Sequence, residues 1–306
     1  MVTFHDARRF VDDVLAEPGC SRVTDVLVVR DGDVLADHST TGGAPRDLFS
    51  LTKTVLAVLV GFAVRDGLLD LDVPVARYTG LDGTGDQTLR HLLTMTRGAE
   101  VDGPFDLDLV AVTEPHWAAA FARSPQVAAP GERFVYDNGA SQLVAEALHR
   151  TAPGGLQAFA TRHLFSRLGA PDPRWMTDPA GVPSGPAHLR LPAVALARLG
   201  ELLLDEGDEW VRAMRTPTSA GGPPEGRPYG IGLWLEPDGA FFGAGWAGQL
   251  LWCRPSDRLV VVTLADPVFD YGPPPSDRMP TGWVAPLELL RRPRRAAAAG
   301  SSARPR

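Results

Sequence analysis

Lysine is almost missing from this chain. Its 30 basic residues are one lysine, Lys53, and otherwise arginine. Arginine keeps its proton in a protein, whereas a desolvated lysine can lose one. A single retained lysine therefore points to a base or proton relay. Cysteine is scarce too. Cys20 and Cys253 are the only two, too few for a disulfide framework and not in a Cys-x-x-Cys spacing. Cys253, in an apolar run, reads as a small core residue. No apolar run is long enough to span a bilayer. The start, Met1-Val2-Thr3-Phe4-His5-Asp6-Ala7-Arg8-Arg9, lacks the apolar core of an export signal. The expectation is a cytoplasmic protein with no membrane association. Positive charge is in deficit, with a net charge of -7, which argues against a nucleic-acid partner. His-Glu-x-x-His, a Walker loop and Gly-x-Ser-x-Gly are all absent, leaving zinc peptidases, P-loop enzymes and typical α/β-hydrolases unsupported. No metal or cofactor is expected.

What is present is an ordinary globular composition. The chain has 306 residues, 44% hydrophobic and 22% charged, enough for one large domain or two interleaved ones. Its organising stretch is Phe49-Ser50-Leu51-Thr52-Lys53-Thr54. On a helix, Ser50 and Lys53 share a face, and a serine beside a basic lysine is an activated nucleophile. The plainer alternatives are that Ser50 caps a helix and that Lys53 is a surface lysine. Residues 51–64 speak against the second, being apolar on nearly every face as in a buried helix. A lysine at the mouth of such a helix is desolvated, which lowers its pKa.

Around this stretch the periodicity predicts a helix over residues 5–17, a strand over 23–29, a turn at Arg30-Asp31-Gly32-Asp33 and a returning strand at 34–36. The Ser50 helix ends near Asp66-Gly67. Residues 88–95 predict a short helix stopped at Gly98, with His91 a packed or capping residue. Residues 99–116 predict an irregular acidic loop, either walling a site or simply solvated. Further helices are expected over 140–149, 156–168 and 191–204, with a long loop at 172–189. Short strands at 230–235, 240–243, 250–254 and 259–264 predict an antiparallel meander. A closing helix is expected from Trp283 to Leu290. The pattern implies an α+β fold, with one antiparallel sheet from N- and C-terminal segments (1–66 and 205–290), a helical unit (67–204) and a disordered tail (291–306). Ser50 then falls in the cleft between sheet and helices, where sites usually form.

Three signatures lie along this frame: Ser50-Leu51-Thr52-Lys53, Tyr136-Asp137-Asn138 and Trp246-Ala247-Gly248. They resemble the Ser-x-x-Lys, Tyr-x-Asn and Lys/His/Trp-x-Gly motifs of the penicillin-recognising serine hydrolases. The nearest branch is that of class C β-lactamases, esterases and 6-aminohexanoate-oligomer hydrolases. Gly67-Leu68-Leu69-Asp70-Leu71-Asp72-Val73-Pro74-Val75, Leu89-Arg90-His91-Leu92-Leu93-Thr94 and Pro130-Gly131-Glu132-Arg133-Phe134-Val135-Tyr136 also look like this family's phrases, in its order, so the resemblance runs over most of the chain. It implies a β-lactamase/transpeptidase-like fold with Ser50 as nucleophile. Lys53 and Tyr136 would share proton transfer, a neighbouring ammonium favouring the Tyr136 phenolate. Asn138 would hold Lys53 or a substrate amide, and the backbone N–H groups of Ser50 and Gln249 would form the oxyanion hole.

The third signature departs from the antibiotic-handling members, which place lysine or histidine where this chain has Trp246. That cation helps to hold a substrate carboxylate, so the resemblance here points to the esterase and acyltransferase members. Gly248 follows in the same signature. Trp117, Trp175, Tyr229, Trp234 and Phe242 are candidates for an apolar acyl pocket or plain core. His188 and Ser184 are candidate wall residues. The phrase His91 to Gly98 also departs from the family's, at Met95 and Arg97, and that region is expected to shape substrate choice. Three functions follow: a serine hydrolase on a small-molecule ester or amide, an acyltransferase passing the acyl group to an amine or alcohol, and a non-catalytic binding protein on the same fold. Substrate identity and oligomeric state are left open.

Overall fold

The computed structural model describes residues 4–266 and 285–291. In it the strands are β1 (Val23–Arg30), β2 (Asp33–Ser39), β3 (Arg46–Asp47), β4 (Arg190–Leu191), β5 (Ser219–Gly222), β6 (Arg227–Tyr229), β7 (Trp234–Leu235), β8 (Phe241–Gly245), β9 (Gln249–Arg254) and β10 (Leu259–Ala265). Eight of them form one antiparallel sheet in the order β2-β1-β10-β9-β8-β7-β6-β5. The N-terminal hairpin thus joins the C-terminal meander, β1 lying on β10 with Val28 opposite Val261. Asp31 and Gly32 both have positive φ (50° and 82°), as the tight hairpin turn between β1 and β2 demands. β10, Leu-Val-Val-Val-Thr-Leu-Ala, is buried at every residue. A strand apolar on both faces needs cover on both faces. Helix Phe4–Ala16 lies on β1 and β2, and helix Ala193–Leu203 lies on β1, β9 and β10. The latter packs on the sheet although it falls within the 67–204 stretch expected to form the helical unit.

Helix Thr52–Arg65 is buried from Thr52 to Ala63, matching its all-round apolar sequence. It ends at Gly67 in the left-handed region (φ 70°). Helix Asn138–Thr151 is the hub of the helical part. It contacts helices Thr52–Arg65, Ala76–Thr79, Leu89–Leu93, Trp117–Ala122 and Gly155–Ala160.

Several expectations change. Residues 99–116 are not an irregular loop throughout: a 3-10 turn at Gly103–Phe105 leads into helix Leu107–Thr113, capped by Asp106, whose carboxylate accepts the Asp108 N–H. The helix expected over 156–168 is Gly155–Ala160 followed by a π turn, Thr161–Phe165. The strand expected at 230–235 shrinks to β7. β5 and β6, rich in glycine and proline and so without alternation, extend the sheet beyond it. Helix Ala285–Arg291 stands where a closing helix was expected. Trp283, and the tail beyond Arg291, lie outside the described residues.

Candidate active site

The segment before the serine is tied down first. β3 pairs with β4, so Asp47 faces Arg190 across a two-stranded ladder. Asp47 Oδ1 then accepts the Phe49 N–H at 2.8 Å. Phe49 has φ 45°, a conformation that costs a bulky residue energy and persists where its surroundings impose it. The 3-10 turn Phe49–Leu51 carries Ser50 and runs directly into helix Thr52–Arg65. This turn sits against β8 because two residues there lack side chains. A Cβ on Gly243 would meet Leu51 and Thr54, and one on Gly245 would meet the Leu48 carbonyl oxygen. Thr54 also donates to the Gly232 carbonyl at 2.8 Å.

Ser50 is half-buried and is not a cap. Lys53 Nζ donates to Ser50 Oγ at 3.0 Å, to Asn138 Oδ1 at 2.9 Å and to the Pro186 carbonyl at 3.0 Å. All three ammonium protons have partners. The Lys53 side chain is 4% exposed, and burial brings its pKa down to about 7 against the opposing pull of Asp137. The Tyr136 ring lies 4.9 Å from Lys53 Nζ, and its phenol hydrogen-bonds Ser50. The expectation of a phenolate is reversed. Burial pushes the Tyr136 phenol well up, outweighing the Ser50 hydrogen bond, and Glu225 pushes the same way. The raised phenol makes Tyr136 a proton donor, and burial favours the neutral form of Lys53.

Tyr136 and Asn138 reach this point from the start of the hub helix. Its N-cap is Asp137, whose Oδ1 accepts the Ala140 N–H at 3.0 Å. The cap is therefore made by the residue between them, leaving Asn138 free to bind Lys53. Asp137 is buried, and so is its partner. Arg97 Nε donates to Asp137 Oδ2, Nη2 approaches Oδ1 at 3.4 Å, and Nη1 donates to the Phe121 carbonyl at 2.9 Å. The two side chains are 2% and 4% exposed. Arg97 and Met95 thus lie in the interior and do not line a substrate path, correcting the expectation for that phrase.

The third signature closes the sheet side. Trp246, half-buried, meets the Phe49 ring edge-on at 5.3 Å. Ala247 and Gly248 both have positive φ (68° and 96°), so the chain turns tightly before β9. Thr263 donates to the Gly248 carbonyl at 2.7 Å. The Gln249 side chain points away from Ser50: Nε2 donates to the Ala265 carbonyl at 2.9 Å and Oε1 accepts the Ala265 N–H at 3.0 Å. Only its backbone can serve an oxyanion, and these bonds fix that backbone on β10.

His188 stands beside the same turn. Its Nδ1 is 2.8 Å from Asp47 Oδ2, and its ring meets Phe49 edge-on at 5.9 Å. Ser184 is fully buried and is not a wall; its carbonyl accepts Trp175 Nε1 at 2.7 Å. The expected acyl pocket is largely core. Trp117, Trp175 and Phe242 are buried in the hydrophobic interior, while Trp234 stacks behind Tyr136 at 5.8 Å with Tyr229 edge-on to it. Cys253 is buried and burial pushes its thiol up, as befits a core residue. His91 caps its own helix, accepting the Thr88 N–H at Nδ1. Sequence reasoning missed the Pro186 carbonyl, which no side chain announces, and the roles of Asp47 and Asp137. Asp137 did carry a signal: an acidic residue just ahead of a helix reads as a cap.

The profile of the beta-lactamase family matches residues 7–278. With its Ser-x-x-Lys turn set between an antiparallel sheet and a helical hub, the chain belongs to that family. It is similar to a penicillin-binding protein from Bacillus halodurans (18% identity, TM-score 0.70, 93% of this chain and 99% of that one). It is also similar to an octameric penicillin-binding protein homologue from Pyrococcus abyssi (21%, TM-score 0.71, 94% and 77%). A third similar structure is EstCE1, described as a hydrolase with promiscuous acyltransferase activity (16%, TM-score 0.68, 92% and 99%). At these identities the likeness is one of fold. No curated protein matches the chain. No helix among the described residues is long and apolar enough to cross a membrane.

Proposed function

We propose that this protein is a serine hydrolase that cleaves a small ester or amide through an acyl-serine on Ser50. The observation that carries the reading is the hydrogen bond of 3.0 Å between Lys53 Nζ and Ser50 Oγ, made by a lysine that burial brings to about 7. Such a lysine is a base at neutral pH. Neutral Lys53 takes the Ser50 proton as Oγ attacks the carbonyl carbon. The oxyanion is met by the backbone N–H groups of Ser50 and Gln249, each such donor lowering the barrier by about 3 kcal/mol. As the intermediate collapses, the Tyr136 phenol gives its proton to the leaving oxygen or nitrogen. The Lys53 ammonium then restores the phenol, so the serine proton ends on the leaving group. Water, activated by the same pair, releases the acid and frees Ser50. Asn138 holds Lys53 in place, and Trp246 offers an apolar surface where a substrate carboxylate would find no cation.

Acyl transfer on the same residues is the second reading. Its support is the likeness to EstCE1 and an apolar Trp246 that would shield an acyl-enzyme from water. An amine or alcohol would then take the place of water, with no change in the first half-reaction. A purely binding role is disfavoured by the mutual reach of Ser50, Lys53 and Tyr136. The division into a sheet unit (1–66, 205–290) and a helical unit (67–204, apart from helix Ala193–Leu203, which packs on the sheet), with Ser50 at their seam, is part of this proposal, as are a cytoplasmic location and a small-molecule substrate.

The test is mass spectrometry of the intact protein after incubation with a panel of activated esters, with and without an added amine. The expected result is an acyl adduct on wild type that is absent from Ser50→Ala. A wild-type protein that stays unmodified across the panel and towards a fluorophosphonate contradicts the reading.

A further inference from the structure

Resting on that reading, we propose that Arg97 is a positioning residue for the reaction: its buried guanidinium offsets the charge of Asp137, so that this carboxylate holds a proton on Lys53 less strongly than it would unpaired. The geometry is specific. Asp137 lies in the chain between Tyr136 and Asn138, both of which reach Lys53. A bare carboxylate there would act on the ammonium in a dry interior, where charges act strongly on one another. Among the described residues, Lys53 meets the neutral groups Ser50, Tyr136, Asn138 and the Pro186 carbonyl. Asp137 is the charged group that acts on it, and it acts to keep the proton on.

Arg97 pairs with this charge. It grips Asp137 through two guanidinium nitrogens, while its third nitrogen is held by the Phe121 carbonyl. The Arg97 carbonyl is fixed in turn by Gln126 Nε2 at 2.7 Å. Arginine suits the task because it stays charged when buried. Gly139 leaves room for it: a Cβ there would meet both Phe121 and the Arg97 guanidinium. Burial of two ionic groups is costly unless both are paired, and here the pair also serves the base beside it. Glu225 acts on Tyr136; burial raises its own pKa, with Glu236 pushing the same way and Arg291 and Arg227 opposing.

The chain offers a direct readout. With one lysine in 306 residues, protein grown on side-chain-labelled lysine gives a single lysine NMR signal, whose shift reports the Lys53 titration alone. In Arg97→Met the midpoint is expected to rise by about 1–2 units, because the unpaired Asp137 carboxylate then stabilises the ammonium. In Asp137→Ser, which keeps a capping hydroxyl, the midpoint is expected to fall, because the carboxylate that keeps the proton on Lys53 is gone and the Arg97 charge is left unpaired. The double variant is expected to return close to wild type, and the acid limb of Ser50 acylation should follow the same order. Should Arg97→Met fail to fold, the fall in Asp137→Ser and its reversal in the double variant support the proposal. Midpoints that coincide in folded variants and wild type overturn it. If the midpoints move as expected but neither wild type nor any variant acylates, the role of Arg97 stands and the hydrolase reading falls.

Discussion

From Phe241 to Trp252 the sheet side of Ser50 carries no titratable residue, whereas the segments facing it from the helical side carry Arg97, Tyr136, Asp137 and His188. The two sides also hold the serine turn by different means. On the sheet side the contact is one of shape, with Gly243 and Gly245 admitting the Leu48–Leu51 backbone and Trp246 closing on Phe49. On the helical side it is one of charge and hydrogen bonds, with Lys53 spanning Ser50, Asn138 and Pro186. The difference teaches that geometry and protonation are set by separate parts of this molecule. Changes on one side should therefore leave a different signature from changes on the other.

The largest expected effect lies on the helical side. Lys53→Arg keeps a positive charge but removes a group able to give up its proton. The rate of Ser50 acylation should fall by about 10³-fold, measured by adduct mass against time. Acylation at the wild-type rate would break the comparison, since the protonation machinery would then lie elsewhere. A smaller effect is expected on the sheet side. Gly245→Ala brings a methyl group onto the Leu48 carbonyl and should cost about 2 kcal/mol of stability by overpacking, read from the denaturation midpoint. In the same variant the Lys53 titration should not move, which sharpens the division between shape and charge. An unaltered denaturation midpoint would mean that the serine turn does not rest on β8.

Much of this was legible in the sequence. The sheet was foreshadowed by β-rich runs at both ends of the chain, and the buried serine helix by apolar residues on every face. Lys53 stood out through sheer rarity, and Tyr136 and Asn138 through spacing. The illegible parts have physical reasons. β5 and β6 are Ser-Ala-Gly-Gly and Arg-Pro-Tyr, which show no alternation because pairing to a neighbour, not side-chain pattern, makes them strands. The Pro186 carbonyl is backbone, which every residue has. Arg97 enters the sequence reading only as a departure from the family phrase in a region tied to substrate choice; charged residues are mostly exposed, and its juxtaposition with Asp137, 40 residues away, explains its burial. The protonation of Tyr136 turned on a balance of burial against hydrogen bonding that spacing cannot weigh.

The central claim is that Lys53 is a base near neutral pH because it is buried. The sign is definite: a lysine whose pKa falls from 10.5 to about 7 is charged below pH 7 and neutral above it, so acylation should rise with pH through that point. The same shift makes the native state bind fewer protons than the unfolded chain between about pH 7 and 10.5, so its contribution to stability improves as pH rises through that window. The most direct test is the NMR titration of the single labelled lysine in the wild-type protein. A midpoint near 7 is the predicted result, and a midpoint at the ordinary lysine value of about 10.4 would contradict the account.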